Sequence, residues 1–229
     1  MKRMASNGLC SFCGKTFSKT AMKKHLDSCK QRRASPETSS KPKAHYLHLV
    51  AEGRYCPEYW MHLEVRADAP LSKLDDFLRG IWLECCGHLS AFTIEGERYV
   101  SEVIKHPLFD FDPEKGMGIK IGTVVKPEMK FTHEYDFGTT TELKLKVVSE
   151  RMGQRRSEQV RLMARNTPPP ITCNVCKKPA TQVCTQCIWE GEGWLCDACA
   201  RKHKCDEEML LPVVNSPRVG MCGYTGVVE

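Results

Sequence analysis

Short apolar runs alternating with period two, one amphipathic stretch, and paired cysteines near both ends of the 229-residue chain predict an α+β protein. The expected architecture is a small antiparallel-rich sheet with one main helix, flanked by two small zinc-binding modules. The strand signals are HYLHLVA and YWMHLEV from residue 45 onward, HLSAFTIEG with ERYVS around a Glu-Gly turn, GIKIGTVV, and MKFTHEYDF with TTELKLKVV, hinged at Gly138. The helix signal is LSKLDDFLRGIWLECC, which sets Leu71, Leu74, Phe77, Leu78, Ile81 and Trp82 on one face.

Zinc enters through spacing. Residues 173–205 hold Cys173/Cys176, Cys184/Cys187 and Cys196/Cys199, each with two residues between, then His203/Cys205 with one. A Cys-x-x-Cys turn brings two thiolates to about 3.5–4 Å apart, the edge of a zinc tetrahedron with Zn–S bonds of about 2.3 Å. Four pairs supply eight ligands, enough for two ions. The segments between the pairs are too short to build an apolar core, so metal binding supplies much of the folding energy there. Disulfides are the competing reading of such pairs. The N-terminus MKRMASNGLC carries no apolar segment of an export signal, however, and no apolar run approaches membrane-spanning length. The expectation is a cytoplasmic protein without a membrane partner, in which the 14 cysteines are chiefly metal ligands.

Adjacent or alternating pairs would each satisfy two tetrahedra. The segment resembles B-box-type zinc modules, whose pairs alternate. That resemblance implies Cys173, Cys176, Cys196 and Cys199 on one ion and Cys184, Cys187, His203 and Cys205 on the other, with Cys222 in reserve as the eighth ligand.

Near the N-terminus, Cys10 and Cys13 precede His25 and Cys29, and the three residues between His25 and Cys29 suit two ligands one helical turn apart. Phe17 and Met22 stand where a small ββα finger keeps its core. The segment looks like a C2H2-type finger whose last histidine is replaced by cysteine. About three ions per chain are expected from the twelve ligands.

Charge divides along the chain. Residues 1–44 carry 11 Lys and Arg against 2 Asp and Glu, whereas residues 45–150 carry 12 against 18. Lys15, Lys19, Lys23, Lys24, Lys30, Arg32 and Arg33 are therefore candidate contacts to DNA or RNA phosphates, and the central domain reads as a poor polyanion binder. Solubility is the bland account of the same charges. In finger geometry the base-facing positions hold Ser18, Ala21 and Lys24, of which only Lys24 suits bases.

The boundaries follow. Residues 1–33 form the finger with its basic extension, 34–44 a linker, and 45–150 the α+β domain, with a loop over 106–118. Residues 151–170 form a basic, proline-rich connector, and 171–229 the double-zinc module with its tail. Val160, Leu162 and Ala164 suggest an edge strand, with a short arginine-rich helix as the alternative.

Trp60, the helix ending in Trp82, His88 and Leu89 followed by Phe92, and Tyr135-Asp136-Phe137-Gly138 lie in an order similar to the plasmid pRiA4b ORF-3-like family, also described as transposon passenger protein-like. The resemblance covers roughly residues 44–165. It implies an α+β fold and a mobile-element background and assigns no reaction. Packing accounts for His88, Phe92 and Tyr135. Cys85 and Cys86, being adjacent, are poorly disposed to chelate one ion and read as buried thiols; Cys222 reads as a free one.

Closed sets of four ligands favour structural zinc, because a catalytic zinc keeps a position open. The expected function is a non-enzymatic zinc adaptor that binds nucleic acid, protein, or both. The alternative is an enzyme with its site in the central domain near His88, Asp136 and His133, though no nucleophile-base pair or cofactor loop marks one.

Overall fold

The computed structural model describes residues 6–33, 42–103 and 114–226. Most of the expected linker at 34–44 and the larger part of the loop at 106–118 lie outside them. The chain begins with a hairpin, β1 (Asn7–Cys10) and β2 (Thr16–Ser18), followed by α1 (Lys19–Ser28) and a single turn, α2 (Lys30–Arg33). Ser18 starts α1 by accepting the Ala21 amide on its hydroxyl, a standard N-cap. Met22 and Leu26, one turn apart, are fully buried beneath it.

Two long strands follow, β3 (Lys43–Gly53) and β4 (Trp60–Arg66), then α3 (Leu71–Leu78), which opens into a π-helical turn over Arg79–Leu83. Next come β5 (Ser90–Ile94), β6 (Glu97–Val100) and the two-residue β7 (Lys115–Gly116). The β5–β6 turn places Glu95 and Gly96 at φ of 51° and 87°, the paired positive values of a tight hairpin. GIKIGTVV, expected to continue the strands, instead makes a 3₁₀ turn at Ile121–Thr123. β8 (Lys130–Tyr135) and β9 (Thr141–Gln154) form the hairpin expected around Gly138, and β10 (Val160–Asn166) comes after it.

These ten strands make one sheet in the order β2-β1-β10-β4-β3-β9-β8-β5-β6-β7, antiparallel except for the β6–β7 pair. The expected small sheet with one main helix is therefore wrong. The sheet dominates the protein, and among the described residues the helices are short and several, with α3 shorter than α1. The enlargement has a physical cause. β10 pairs with β4 on one side and leaves its other edge open; the finger's β1 takes that edge through Gly8–Asn166 and Cys10–Ala164. The finger is continuous with the sheet, and β10, expected at an edge, is interior.

Strand alternation sorts the two faces. Leu47, Leu49 and Ala51, Met61, Leu63 and Val65, and Leu143, Leu145 and Val147 point to one side, where Leu71, Leu74, Leu78 and Trp82 cover them. The opposite face carries His48, His62 and Glu64 under the finger and Lys144 and Lys146 farther along. Trp60 belongs to the finger's own core with Met22, Leu26 and Met163. A Cβ on Gly8 would lie 2.4 Å from the Trp60 ring, so glycine is what lets β1 close on it.

The C-terminal module has a sheet of its own. β11 (Gln182–Cys184), β12 (Trp194–Leu195) and β13 (Leu210–Pro212) form a three-stranded sheet, with α4 (Asp197–Ala200) between the last two. Its core is Leu195 and Ala200 among cysteines, the sparse interior expected where metal replaces apolar packing.

Candidate metal centres

Four groups of cysteine and histidine converge, each with its four ligand atoms within 4.8 Å of one another. Among the described residues no helix is long and apolar enough to cross a membrane.

The first group is Cys10, Cys13, His25 and Cys29. The β1–β2 turn supplies the two cysteines, and α1 supplies His25 and, at its C-terminal cap, Cys29. Cys13 Sγ lies 3.3 Å from His25 Nε2, and the His25 ring stacks on Phe17 at 4.0 Å. Burial, then the Lys15 charge, hold the His25 pKa below its usual value, which keeps the imidazole neutral as a ligand must be.

The C-terminal groups alternate along the chain. Cys173, Cys176, Cys196 and Cys199 form one, and Cys184, Cys187, His203 and Cys205 the other, so Cys205 rather than Cys222 completes the second. Cys176 and Cys196 sulfurs are 3.5 Å apart, and Cys187 Sγ lies 3.5 Å from His203 Nε2 and 3.6 Å from Cys205 Sγ. These separations match the edges of a zinc tetrahedron. Gly193, at φ 106°, passes so close to Ile188 and Cys184 that a Cβ would lie 2.8 Å from the Ile188 nitrogen, which keeps the Cys184–Cys187 turn tight.

The donor chemistry also fits a cation. Burial opposes the Cys173 thiolate, but amide hydrogen bonds at Cys176, Cys196 and Val175 outweigh it and bring the thiol down to about 6. Cys184 falls to about 7 in the same way, with His203 and Cys205 contributing. Meanwhile Cys199 is pushed up to about 12 by burial and the sulfurs beside it, and Cys187 to about 12 by Cys205 first and then burial. Sulfurs packed this closely ionise together only around a positive charge.

A fourth group, Cys85, Cys86, His88 and Cys222, brings together side chains that the sequence reading left as buried or free thiols. Cys86 and Cys222 are exposed and Cys85 is half-buried. The Cys85 and Cys86 sulfurs approach to 3.3 Å, and His88 Nε2 lies 3.1 Å from Cys86 Sγ and 3.2 Å from Cys222 Sγ. Adjacent cysteines converge because the chain leaves the helix at Glu84 and curls back. The Glu84 carboxylate accepts the Gly87 amide at 2.6 Å, and the Tyr135 hydroxyl accepts the amides of Cys85 and His88 at 3.4 and 3.3 Å. A signal existed in the sequence. The twelve-ligand scheme left Cys56, Cys85, Cys86 and Cys222 over, and CCGH packs three ligand side chains into four residues. The long-range partner was hidden by sequence distance.

Two of the three residues of the enzyme alternative also meet here. His88 Nε2 stands 3.5 Å from Asp136 Oδ2. Asp136 is, however, committed: Oδ2 accepts from Arg218 at 2.7 Å, and Oδ1 accepts the amides of Gly138 and Thr139. His133 is fully buried and bonded to Asp75 at 2.7 Å, as a core pair.

The basic candidates divide. Lys15, Lys23, Lys24, Lys30 and Arg33 are exposed. Lys19 pairs with Glu52, and Arg32 reaches buried Glu64 at 3.2 Å, so both hold the finger to the sheet. Lys19 and Lys23 also border a cleft of about 700 Å³ whose far side is Arg54, Lys130, Lys144 and Lys146. Those residues come from the segment whose net charge is acidic, and the fold gathers its lysines on one face.

The structure is sheet-dominated, with one ten-stranded mixed sheet and four Cys/His groups that could hold metal ions. The plasmid pRiA4b ORF-3-like protein family matches residues 50–177, and the chain belongs to that family. The match begins later than the resemblance read from the sequence and ends beyond it, taking in the first cysteine pair of the C-terminal module. Among solved structures, a protein of unknown function from Methanosarcina mazei Go1 is similar, at 16% identity and a TM-score of 0.45 over 53% of this chain and 70% of that one. No curated protein matches.

Proposed function

We propose that the protein is a non-enzymatic, zinc-stabilised adaptor whose basic cleft, between α1 and the β8–β9 side of the sheet, binds DNA or RNA. The observation that carries the reading is the register of β8 and β9, which sets Lys130 directly opposite Lys146, with Lys144 on the same face. Like charges opposed across a sheet cost stability, and an anionic backbone laid along the cleft removes that cost. Lys146 is shared with exposed Glu128, whereas the finger's Lys23 overlooks the same cleft from α1. The plasmid in the family's name fits such a partner. Thiolate ligands also fit a reducing compartment, hence a cytoplasmic location.

Fluorescence anisotropy of the full chain with labelled single-stranded and duplex DNA and RNA, at rising salt, tests this. The expected result is binding that weakens steeply with salt and falls about tenfold or more in a Lys23→Glu/Lys130→Glu/Lys144→Glu variant. Equal binding by the variant and the parent would remove the cleft from consideration.

A further inference from the structure

We propose that Cys85, Cys86, His88 and Cys222 form a fourth metal site, taking zinc or a similar thiolate-preferring divalent ion, which clips the C-terminal tail to the central sheet. Three ligands come from the segment that ends the α3 helical region and the fourth from a point far along the chain, with all four ligand atoms within 4.8 Å. Apolar packing does not explain the convergence, because Cys86 and Cys222 are exposed. Cys222 also sits at φ 45°, a conformation that non-glycine residues adopt at a cost and keep where their surroundings compensate. In that conformation its sulfur lies 3.2 Å from His88 Nε2 and 3.9 Å from Cys86 Sγ.

The surroundings suit an ion held by three thiolates and one imidazole, a set with net charge of about −1 around a divalent ion. Arg218, fully buried, directs Nη2 to Cys85 Sγ at 3.5 Å and to Asp136 Oδ2 at 2.7 Å, so a fixed cation stands beside the sulfurs. Outer contacts of this kind orient ligands and balance charge at metal sites. The tail is led there by anchors that need no metal. The Asn215 side chain accepts from the Asn166 side-chain amide and donates to the Asn166 backbone carbonyl, Ser216 donates to the Trp82 carbonyl at 2.6 Å, and Arg218 donates to the Thr139 carbonyl and Thr141 hydroxyl. These bring Cys222 to the mouth of the CCGH loop, and the ion is the last link. Because β10 enters the C-terminal module and the tail leaves it, closing the tail fixes the module at both ends.

Native mass spectrometry of the reduced, zinc-loaded full chain, together with hydrogen exchange over residues 219–226, tests the proposal. Cys222→Ser and Cys86→Ser are each expected to hold one ion fewer than the parent and to exchange faster in the tail. An unchanged ion count in both variants would overturn the site, and a lost ion with unchanged tail protection would overturn the clip. Neither readout depends on nucleic-acid binding.

Discussion

Glu64 illustrates how single residues decide this molecule. It is 2% exposed, accepts from Arg32 of the finger and from Arg151 at 2.7 Å, and stands in an ion pair with Arg156. Removing the carboxylate leaves three guanidinium groups crowded around a buried position, and uncompensated buried charge costs about 3–5 kcal/mol. Glu64→Gln is expected to lower stability by roughly 3 kcal/mol or more in urea unfolding; a change below about 1 kcal/mol would show that the arginines find water instead. Beside it, His48 Nε2 and His62 Nδ1 lie 2.8 Å apart. Burial, then the neighbouring His62, depress His48 to about 2, and burial, then Lys19, depress His62 to about 4. The unfolded chain takes up protons below about pH 6.5 and the native chain does not, so stability present at neutral pH is lost as pH falls from there toward 4. Between pH 7 and 5 the parent should lose about 2 kcal/mol more than His62→Asn, and parallel unfolding curves would count against a buried neutral histidine.

Among the elements, the two ends that carry Cys/His groups differ in how much apolar packing they have besides any ion. The finger shares β1 with the large sheet and buries Met22 and Leu26 against Trp60 and Met163, so part of its fold survives without metal. The C-terminal module has Leu195 and Ala200 with little else between its cysteines. Chelation of the full chain is expected to release backbone protection across 173–205 while β3, β4 and β9 keep theirs, as read by hydrogen exchange. Loss of protection throughout would mean that the sheet, too, leans on the ions. The strands themselves were legible because β3, β4, β8 and β9 alternate with period two, and a helix at Leu71 was legible because its apolar residues recur at helical spacing. The 3₁₀ turn at Ile121–Thr123 was not, since a short run such as GIKIGTVV carries too few residues for periodicity to separate strand from turn.

For the whole molecule, the sequence by itself determined which residues were able to meet at close range: Cys-x-x-Cys turns, and His25 with Cys29 one helical turn apart, because local geometry fixes those distances whatever the rest of the chain does. It also determined the two-faced strands, since side-chain alternation follows from the pleat. Only the tertiary structure decided that β1 would take the open edge of β10 and turn a small sheet into one of ten strands, because edge pairing leaves no mark on local pattern. It likewise gathered Lys130, Lys144 and Lys146 beside the finger's Lys23 within a segment of net negative charge, and brought Cys222 to Cys85, Cys86 and His88. Summed charge and residue spacing are one-dimensional quantities, whereas a cleft or a ligand set is a statement about which distant parts of the chain share a neighbourhood.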